Sequence, residues 1–258
     1  MNDLRVSLCQ FDIEWENKRE NLVFIEKNIF SLKDKTDIII LPEMFTTGFS
    51  MKSDSLSETV DGETLNTIRK WCSYLNCAIC GSIIIKENNR CYNRGFFITP
   101  KQEFFYDKKH LFRMGSESKN FVPGKEQLII NYKGWNIMLQ ICYDLRFPVW
   151  CRNINNNYDL LIFVASWPKS RQNAWNALLK ARAIENICYV AAVNRVGTDD
   201  TGNSYQGDSQ IIDMKGNEIY KAFPDSVSFS TKSISLLNLK TFRDKFPVWM
   251  DADKFTFI

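Results

Sequence analysis

The stretch ENLVFIEKNIFSLKDKTDIIILPE, residues 20–43, decides the fold. Its first half carries apolar residues at intervals of three and four, at Leu22, Ile25, Ile29 and Leu32. That spacing is typical of an amphipathic helix, and the apolar run that follows predicts a buried strand ending in a proline turn. Because LRVSLCQFDI, residues 4–13, reads as an earlier strand, the opening of the chain predicts a β-α-β unit.

The same alternation of strand and helix continues along the chain. The run DLLIFVAS, residues 159–166, is almost entirely apolar, so both of its faces should be covered. We predict a helix over residues 172–187, a hairpin over 209–220 and an edge strand over 228–236, with a short helix at 146–156. No linker or repeat interrupts residues 1–258, which predicts a single α/β domain. Periodicity alone leaves a Rossmann-type sheet, a barrel and a four-layer sandwich open.

The charge and hydropathy of the chain argue against a nucleic-acid-binding, secreted or membrane protein. The 258 residues include 33 basic and 30 acidic side chains, interleaved along the chain, for a net charge of +3. No basic patch is expected, so nucleic acid is not an expected partner. The N-terminal residues lack the pattern of a signal peptide and no segment has the length of a membrane span, so we expect a soluble cytoplasmic protein with no membrane partner.

Eight cysteines and one histidine limit the possible chemistry. In a cytoplasmic chain of this length the thiols should stay reduced. Cys77 and Cys80 form a C-x-x-C pair, but no second pair follows and His110 is the only histidine, so a zinc site is not expected. Mechanisms that need a catalytic histidine would all have to use His110.

One cysteine stands in a setting typical of a nucleophile. IMLQICYDLRFP, residues 137–148, predicts a strand that ends at Cys142 and turns through a polar run towards a helix. On such a turn a thiol is exposed at the sheet edge, and backbone N–H groups can stabilise negative charge. We also expect the turn to lower the pKa of the thiol. For the other seven cysteines we expect the ordinary role of a small buried hydrophobe.

Two charged residues also follow predicted strands. Glu43 stands at the end of DIIILPE among apolar neighbours, a setting that suits a general base. Lys109 in EFFYDKKHLF, residues 103–112, could stabilise an oxyanion. Taken singly, each is more often a solvated surface charge. Their shared position at strand ends with Cys142 favours a common site.

LPEMF, YDKKHLF and ICYDLRFP, in this order and spacing, resemble the three motifs of the nitrilase superfamily. The resemblance extends over nearly the whole chain. It implies a four-layer α-β-β-α sandwich that pairs with a second subunit into a homodimer or larger homo-oligomer. It also implies an amidase without metal or other cofactor, in which Glu43 is the base, Lys109 the oxyanion-stabilising cation and Cys142 the nucleophile. Glu117 in GSESKNFVPG matches a fourth acid of the family, expected to hold the lysine.

Within that superfamily, the stretches LPEMFTTGFSM, SWPKSR and NRVGTDDTGNSYQGDSQIID look most like the bacterial omega-amidases. That branch hydrolyses the terminal amide of 2-oxo acid amides. The candidate substrate-binding residues are Tyr143, Arg146, Trp167, Arg171, Phe45 and Phe49. Alternatives are an amidase or N-carbamoyl hydrolase with another small amide substrate, and a non-catalytic binding paralogue. Rossmann-type cofactor binding is disfavoured because no G-x-G-x-x-G occurs.

Overall fold

A computed structural model describes residues 3–253 and 255–256, so the outermost residues of the predicted domain lie outside the described part. The strands, in chain order, are β1 (Leu4–Gln10), β2 (Ile38–Ile40), β3 (Ala78–Glu87), β4 (Arg90–Ile98), β5 (Glu103–Asp107), β6 (Ile129–Tyr132), β7 (Trp135–Ile141), β8 (Leu160–Ala165), β9 (Tyr189–Asn194), β10 (Val196–Thr198), β11 (Ser204–Gln206), β12 (Gln210–Ile212), β13 (Glu218–Lys221) and β14 (Ser228–Ile234).

The helices complete the secondary structure. The α-helices are α1 (Lys18–Ile29), α2 (Ser53–Leu56), α3 (Glu63–Leu75), α4 (Glu117–Asn120), α5 (Gln172–Asn186) and α6 (Leu236–Lys245). Short 3-10 helices span Phe30–Leu32, Arg113–Gly115, Cys142–Arg146, Ile154–Asn156, Lys169–Arg171 and Val248–Asp251. Among the described residues, no helix combines the length and apolar character needed to cross a membrane.

Two six-stranded mixed sheets dominate the architecture. The first has the order β14-β1-β2-β3-β4-β5 and the second β13-β12-β9-β8-β7-β6, while β10 and β11 form a separate two-stranded ribbon. In the first sheet β1, β2 and β3 run parallel, and in the second β7, β8 and β9 do. The carboxyl ends of such parallel strands are where α/β proteins usually place their sites.

The alternation of side chains between the two faces of each strand explains how the sheets and helices are layered. In β2, Ile38 and Ile40 pack between the two sheets, whereas Ile39 packs against the outer helices together with Ile25 of α1 and Ile68 of α3. Successive side chains of a strand point to opposite faces, so a continuous apolar run is covered on both sides. Helix α5 packs on the far side of the second sheet. The predicted α-β-β-α sandwich is confirmed.

Most of the predicted elements are present, and the main differences lie at residues 146–156 and after β14. The hairpin is the antiparallel pair β12 and β13, and β14 is an edge strand beside β1. The helix predicted over 146–156 is wrong, because that segment holds only the end of one 3-10 turn and a second short one. Helix α6, beyond the last predicted strand, was not predicted.

A buried aspartate connects the two sheets near the start of β2. Asp37 accepts hydrogen bonds from Arg5 of β1 at 2.8–3.1 Å and from Lys133, in the β6–β7 turn of the other sheet, at 2.5 Å. Burial alone would raise the pKa of Asp37, but these hydrogen bonds lower it to about 2. The carboxylate therefore stabilises the packing of one sheet on the other.

Asp37→Asn is expected to lower the free energy of unfolding at pH 7 by about 1–2 kcal/mol, because the depressed pKa is lost. A group whose folded pKa lies below its unfolded value, roughly 3.9 for aspartate, stabilises the fold fully above that pH and loses its effect as the pH falls. The difference between wild type and variant should therefore shrink between about pH 4 and pH 2. Urea unfolding across this range measures it, with Asp34→Asn as the control; a difference independent of pH would contradict the assignment.

Candidate active site

Glu43 lies in the turn that follows β2, and its side chain is fully buried. The Oε1 atom accepts hydrogen bonds from Asn93 Nδ2 and Lys108 Nζ, both at 2.8 Å. The Oε2 atom accepts the backbone N–H of Ser166, which follows β8 of the other sheet, at 2.9 Å. The carboxylate is therefore held by donors from both sheets.

The lysine that contacts Glu43 is Lys108, so the prediction of Lys109 is wrong by one position. Glu43, Lys108 and Glu117 form a buried cluster of charged side chains. Lys108 Nζ is completely buried and lies 2.8 Å from Glu43 Oε1 and 2.9–3.0 Å from both carboxylate oxygens of Glu117. Neighbouring residues of an extended chain send their side chains in different directions. The ammonium group of Lys109 lies instead 5.1 Å from the centre of the Trp150 ring.

Lys108 keeps its positive charge in this buried position. Burial disfavours the charged form and lowers its pKa, but the carboxylates of Glu117 and Glu43 more than offset this and raise the pKa of Lys108 above its ordinary value. A buried ammonium in contact with two carboxylates is thus a fixed positive charge.

Glu117 begins the short helix α4, in the connection between β5 and β6. Its side chain is fully buried, and its Oε2 atom also accepts the N–H of Phe112 at 2.5 Å. Burial raises the pKa of Glu117; the charge of Lys108 opposes this, and the nearby Glu43 adds to it. The structure brings Glu117 into the cluster with Lys108, where the family resemblance places the fourth acid.

Cys142 begins the 3-10 turn directly after β7, with a φ of 43°. Its side chain is buried beside the cluster, with the residue 8% exposed. The expectation of a lowered thiol pKa is wrong: burial raises the pKa of Cys142 well above its ordinary value, the charge of Glu43 adds to this, and Lys108 opposes it. The Cys142 side chain at rest is therefore a neutral thiol, and its deprotonation needs a base.

A network that the sequence did not reveal supports the turn. The buried carboxylate of Asp144 accepts the N–H of Ile141 at 3.1 Å, the N–H of His110 at 2.9 Å and the hydroxyl of Tyr106 at 2.8 Å. The ring Nδ1 of His110 lies 2.8 Å from the same carboxylate. The only histidine of the chain therefore helps to hold the turn that begins at Cys142.

A cavity of about 860 Å³ opens over Cys142. Five of the six predicted substrate-binding residues line it, namely Phe49, Tyr143, Arg146, Trp167 and Arg171. Phe45 is the exception: it is fully buried in the outer core and packs edge-on against Phe96, with ring centroids 6.0 Å apart. The prediction that Phe45 lines the pocket is wrong.

Two guanidinium groups lie over aromatic rings at the pocket wall. Arg146 stands 4.9 Å from the ring centre of Trp167, and Arg171 stands 5.0 Å from that of Phe112. Within the described part of the chain, neither has a carboxylate close enough for an ion pair, in contrast to Lys52, which pairs with Glu16 at 2.7 Å. Both arginines are therefore available to an anionic ligand.

The remaining cysteines are all buried, and none forms a disulfide in residues 3–253 and 255–256. Burial raises the pKa of Cys77, half of the C-x-x-C pair, to about 12. The described residues contain no group of three or more potential metal ligands arranged around one point.

Comparisons with known proteins agree on one family. A carbon-nitrogen hydrolase family model matches residues 5–241. The omega-amidase YafV of Yersinia enterocolitica is 41% identical over 258 residues, covering 99% of each chain, and a 2-oxoglutaramate amidase of Bacillus subtilis is 30% identical, covering 96% of this chain and 97% of its own. The crystal structure of a Xanthomonas campestris CN-hydrolase superfamily protein with an arsenic adduct in its active site is 41% identical, with a TM-score of 0.98 and 100% of both chains covered.

Proposed function

This chain belongs to the carbon-nitrogen hydrolase family, and from that premise we propose that it is an omega-amidase. Its substrates are 2-oxo acid amides such as 2-oxoglutaramate and 2-oxosuccinamate, and its products are ammonia and the 2-oxo dicarboxylate. The observation that carries the proposal is the buried Glu43–Lys108 pair beside Cys142, under a pocket whose two arginines have no ion-pair partner among the described residues. Relatives named for this activity over their full length support it.

In the first half of the reaction, Glu43 takes the thiol proton while the sulfur of Cys142 attacks the amide carbon. The electron pair of the carbonyl moves to oxygen, and Lys108 together with the backbone N–H of Tyr143 stabilises this oxyanion. The carbonyl then re-forms, ammonia leaves with the proton returned by Glu43, and a thioester remains on Cys142.

In the second half, Glu43 takes a proton from water, which attacks the thioester. The C–S bond breaks and the proton returns to the sulfur, so the resting enzyme is restored. Glu117 holds Lys108 in its charged form, since its carboxylate contacts the ammonium at 2.9–3.0 Å. No metal or organic cofactor takes part in these steps.

The two arginines account for the far end of the substrate. A 2-oxo carboxylate needs cationic donors, and a guanidinium binds a carboxylate through two parallel hydrogen bonds. Arg146 and Arg171 line the pocket and are held in place by aromatic rings. The same positive charges repel the ammonium group of glutamine or asparagine, which favours the oxo acid over the amino acid.

Arg171→Met is expected to raise KM for 2-oxoglutaramate about 10- to 100-fold, the usual cost of losing a charge-assisted contact, with a smaller change in kcat. A simple amide without a carboxylate should be hydrolysed as by the wild type. Lys169→Met is a matched control, because Lys169 lies in the same turn but pairs with Asp225 at 3.0 Å. An unchanged KM for 2-oxoglutaramate would remove Arg171 from the substrate site.

The proposed function is tested by steady-state ammonia release from 2-oxoglutaramate and 2-oxosuccinamate against glutamine, asparagine, simple amides and N-carbamoyl compounds. We expect the 2-oxo acid amides to give the highest kcat/KM. A preference for an N-carbamoyl compound or a simple amide would support the alternative amidase or carbamoylase, and a chain that hydrolyses none of them would be a binding paralogue.

We also propose that the enzyme acts in the cytoplasm as a homodimer. The superfamily resemblance implies pairing through the outer helical layer. Apolar side chains are exposed at and beside α5, at Val149, Ile154 and Ile184. Light scattering of the purified protein measures the assembly directly.

A further inference from the structure

Asn93 of β4 touches every charged member of the buried cluster. Its Nδ2 atom donates to Glu43 Oε1 at 2.8 Å and to Glu117 Oε1 at 3.0 Å. Its backbone carbonyl accepts the N–H of Lys108 at 3.0 Å, which continues the pairing of β4 with β5. The residue is fully buried. Neither its sequence context nor its residue type marked it for this position.

The orientation of the Asn93 amide is fixed by its neighbours. An amide nitrogen has two N–H donors, and both are used by the two carboxylates. In the reversed orientation Oδ1 would face two negatively charged oxygens, so the observed one is strongly preferred. The Oδ1 atom has no hydrogen-bond partner within the described residues. The side chain thus acts as a donor between two like charges.

The ammonium group of Lys108 cannot keep all of its hydrogen bonds to the two carboxylates while it also donates to an oxyanion. Its ammonium has three N–H donors, and three carboxylate oxygens lie within 2.8–3.0 Å of Nζ. To stabilise an oxyanion, Lys108 must turn one N–H away from a carboxylate. Two of the three oxygens that could lose this donor are the Oε1 atoms that Asn93 also contacts.

We propose that Asn93 is a positioning residue that holds the carboxylates of Glu43 and Glu117 in place while Lys108 turns a donor to the oxyanion. The inference rests on the proposed function, because it assumes that the Glu43, Lys108 and Cys142 cluster is catalytic. The titratable groups that face one another here are Glu43, Glu117, Lys108 and Cys142. The Asn93 side chain is uncharged and donates to both glutamates.

Removal of this donor changes the proton affinity of the cluster. A hydrogen bond to a carboxylate favours its charged form, and the hydrogen bond from Asn93 lowers the pKa of Glu117, so without Asn93 this carboxylate holds its proton more tightly. The acid limb of the pH profile should therefore move to higher pH. A residue that served only to stabilise the fold would not move that limb.

The test compares Asn93→Ala with Asn153→Ala across pH 6 to 9, about the range in which both carboxylate and thiol chemistry can be followed. Asn153 is also buried, and both of its amide N–H groups are used, by the carbonyls of Tyr158 and Asn186. We expect Asn93→Ala to lose about 10- to 100-fold in kcat, with a loss that grows as the pH falls. Asn153→Ala should reproduce the wild-type profile.

Asn93→Asp is the second variant, and it tests the positioning role of Asn93 even if Asn93→Ala does not fold. An aspartic acid donates a hydrogen bond only when it is protonated, so the activity of this variant relative to wild type should rise as the pH falls. The alanine variant has the opposite trend. Variant-to-wild-type ratios that do not vary with pH would overturn the positioning role of Asn93. An active Cys142→Ala enzyme would instead overturn the proposed function, so the two failures are distinguishable.

Discussion

Lys108→Met is expected to lower kcat/KM about 1,000-fold, because it removes the cation proposed to stabilise the oxyanion. Lys109→Met should retain activity within about threefold, as is usual for a change outside the site. The two variants have the same chemistry at adjacent positions, and only Lys108 lies between Glu43 and Glu117. Steady-state ammonia release with 2-oxoglutaramate measures both.

The Lys108 variant also tests the stability of the cluster. Two buried carboxylates would lose their cation, which costs about 3–5 kcal/mol of unfolding free energy unless they take up protons. Activity must therefore be expressed per folded molecule, from thermal unfolding or circular dichroism. The reverse result, an inactive Lys109→Met beside an active Lys108→Met, would show that the lysine assignment is wrong.

Cys142→Ala should reduce turnover about 10⁵-fold, to near the uncatalysed rate, because no other group on the described pocket wall can form the thioester. The fold should persist, since the change removes one sulfur atom from the edge of the cavity. Intact-protein mass spectrometry during turnover should detect the acyl adduct on the wild type and none on the variant.

Cys188→Ala is the matched control for this experiment. Cys188 is also buried, and burial raises its pKa above the ordinary value, but it lies at the end of α5 away from the pocket. The Cys188→Ala variant should lose some stability but no activity. Normal turnover by Cys142→Ala would exclude the thioester mechanism.

The sequence predicted the layered fold because its apolar patterns are strong. The alternation of Ile38, Ile39 and Ile40 between two cores explains why a continuous apolar run meant a strand covered on both faces. The positions of Glu43 and Cys142 were predictable for the same reason, since both follow such strands. Helix α6 was not, because its short and largely polar sequence gives a weak period.

The errors at the site come from local geometry that a linear pattern does not contain. Lys108 and Lys109 are equivalent by residue type, and only the direction of the chain after β5 separates them. Phe45 and Phe49 each directly follow a residue with positive φ, Met44 and Gly48 respectively, and one side chain enters the core while the other enters the pocket. Asn93 belongs to the site through contacts with residues that lie far from it in sequence.

The proposed active site is divided between the two sheets. Glu43 and Lys108 follow strands of the first sheet, whereas Cys142 and Ser166, whose N–H holds Glu43, follow strands of the second. Neither half of the sandwich contains a working centre by itself. During refolding, recovery of ammonia release should consequently lag behind the recovery of far-ultraviolet circular dichroism. The rate at which enzymatic activity recovers during refolding therefore reports the rate at which one sheet docks onto the other.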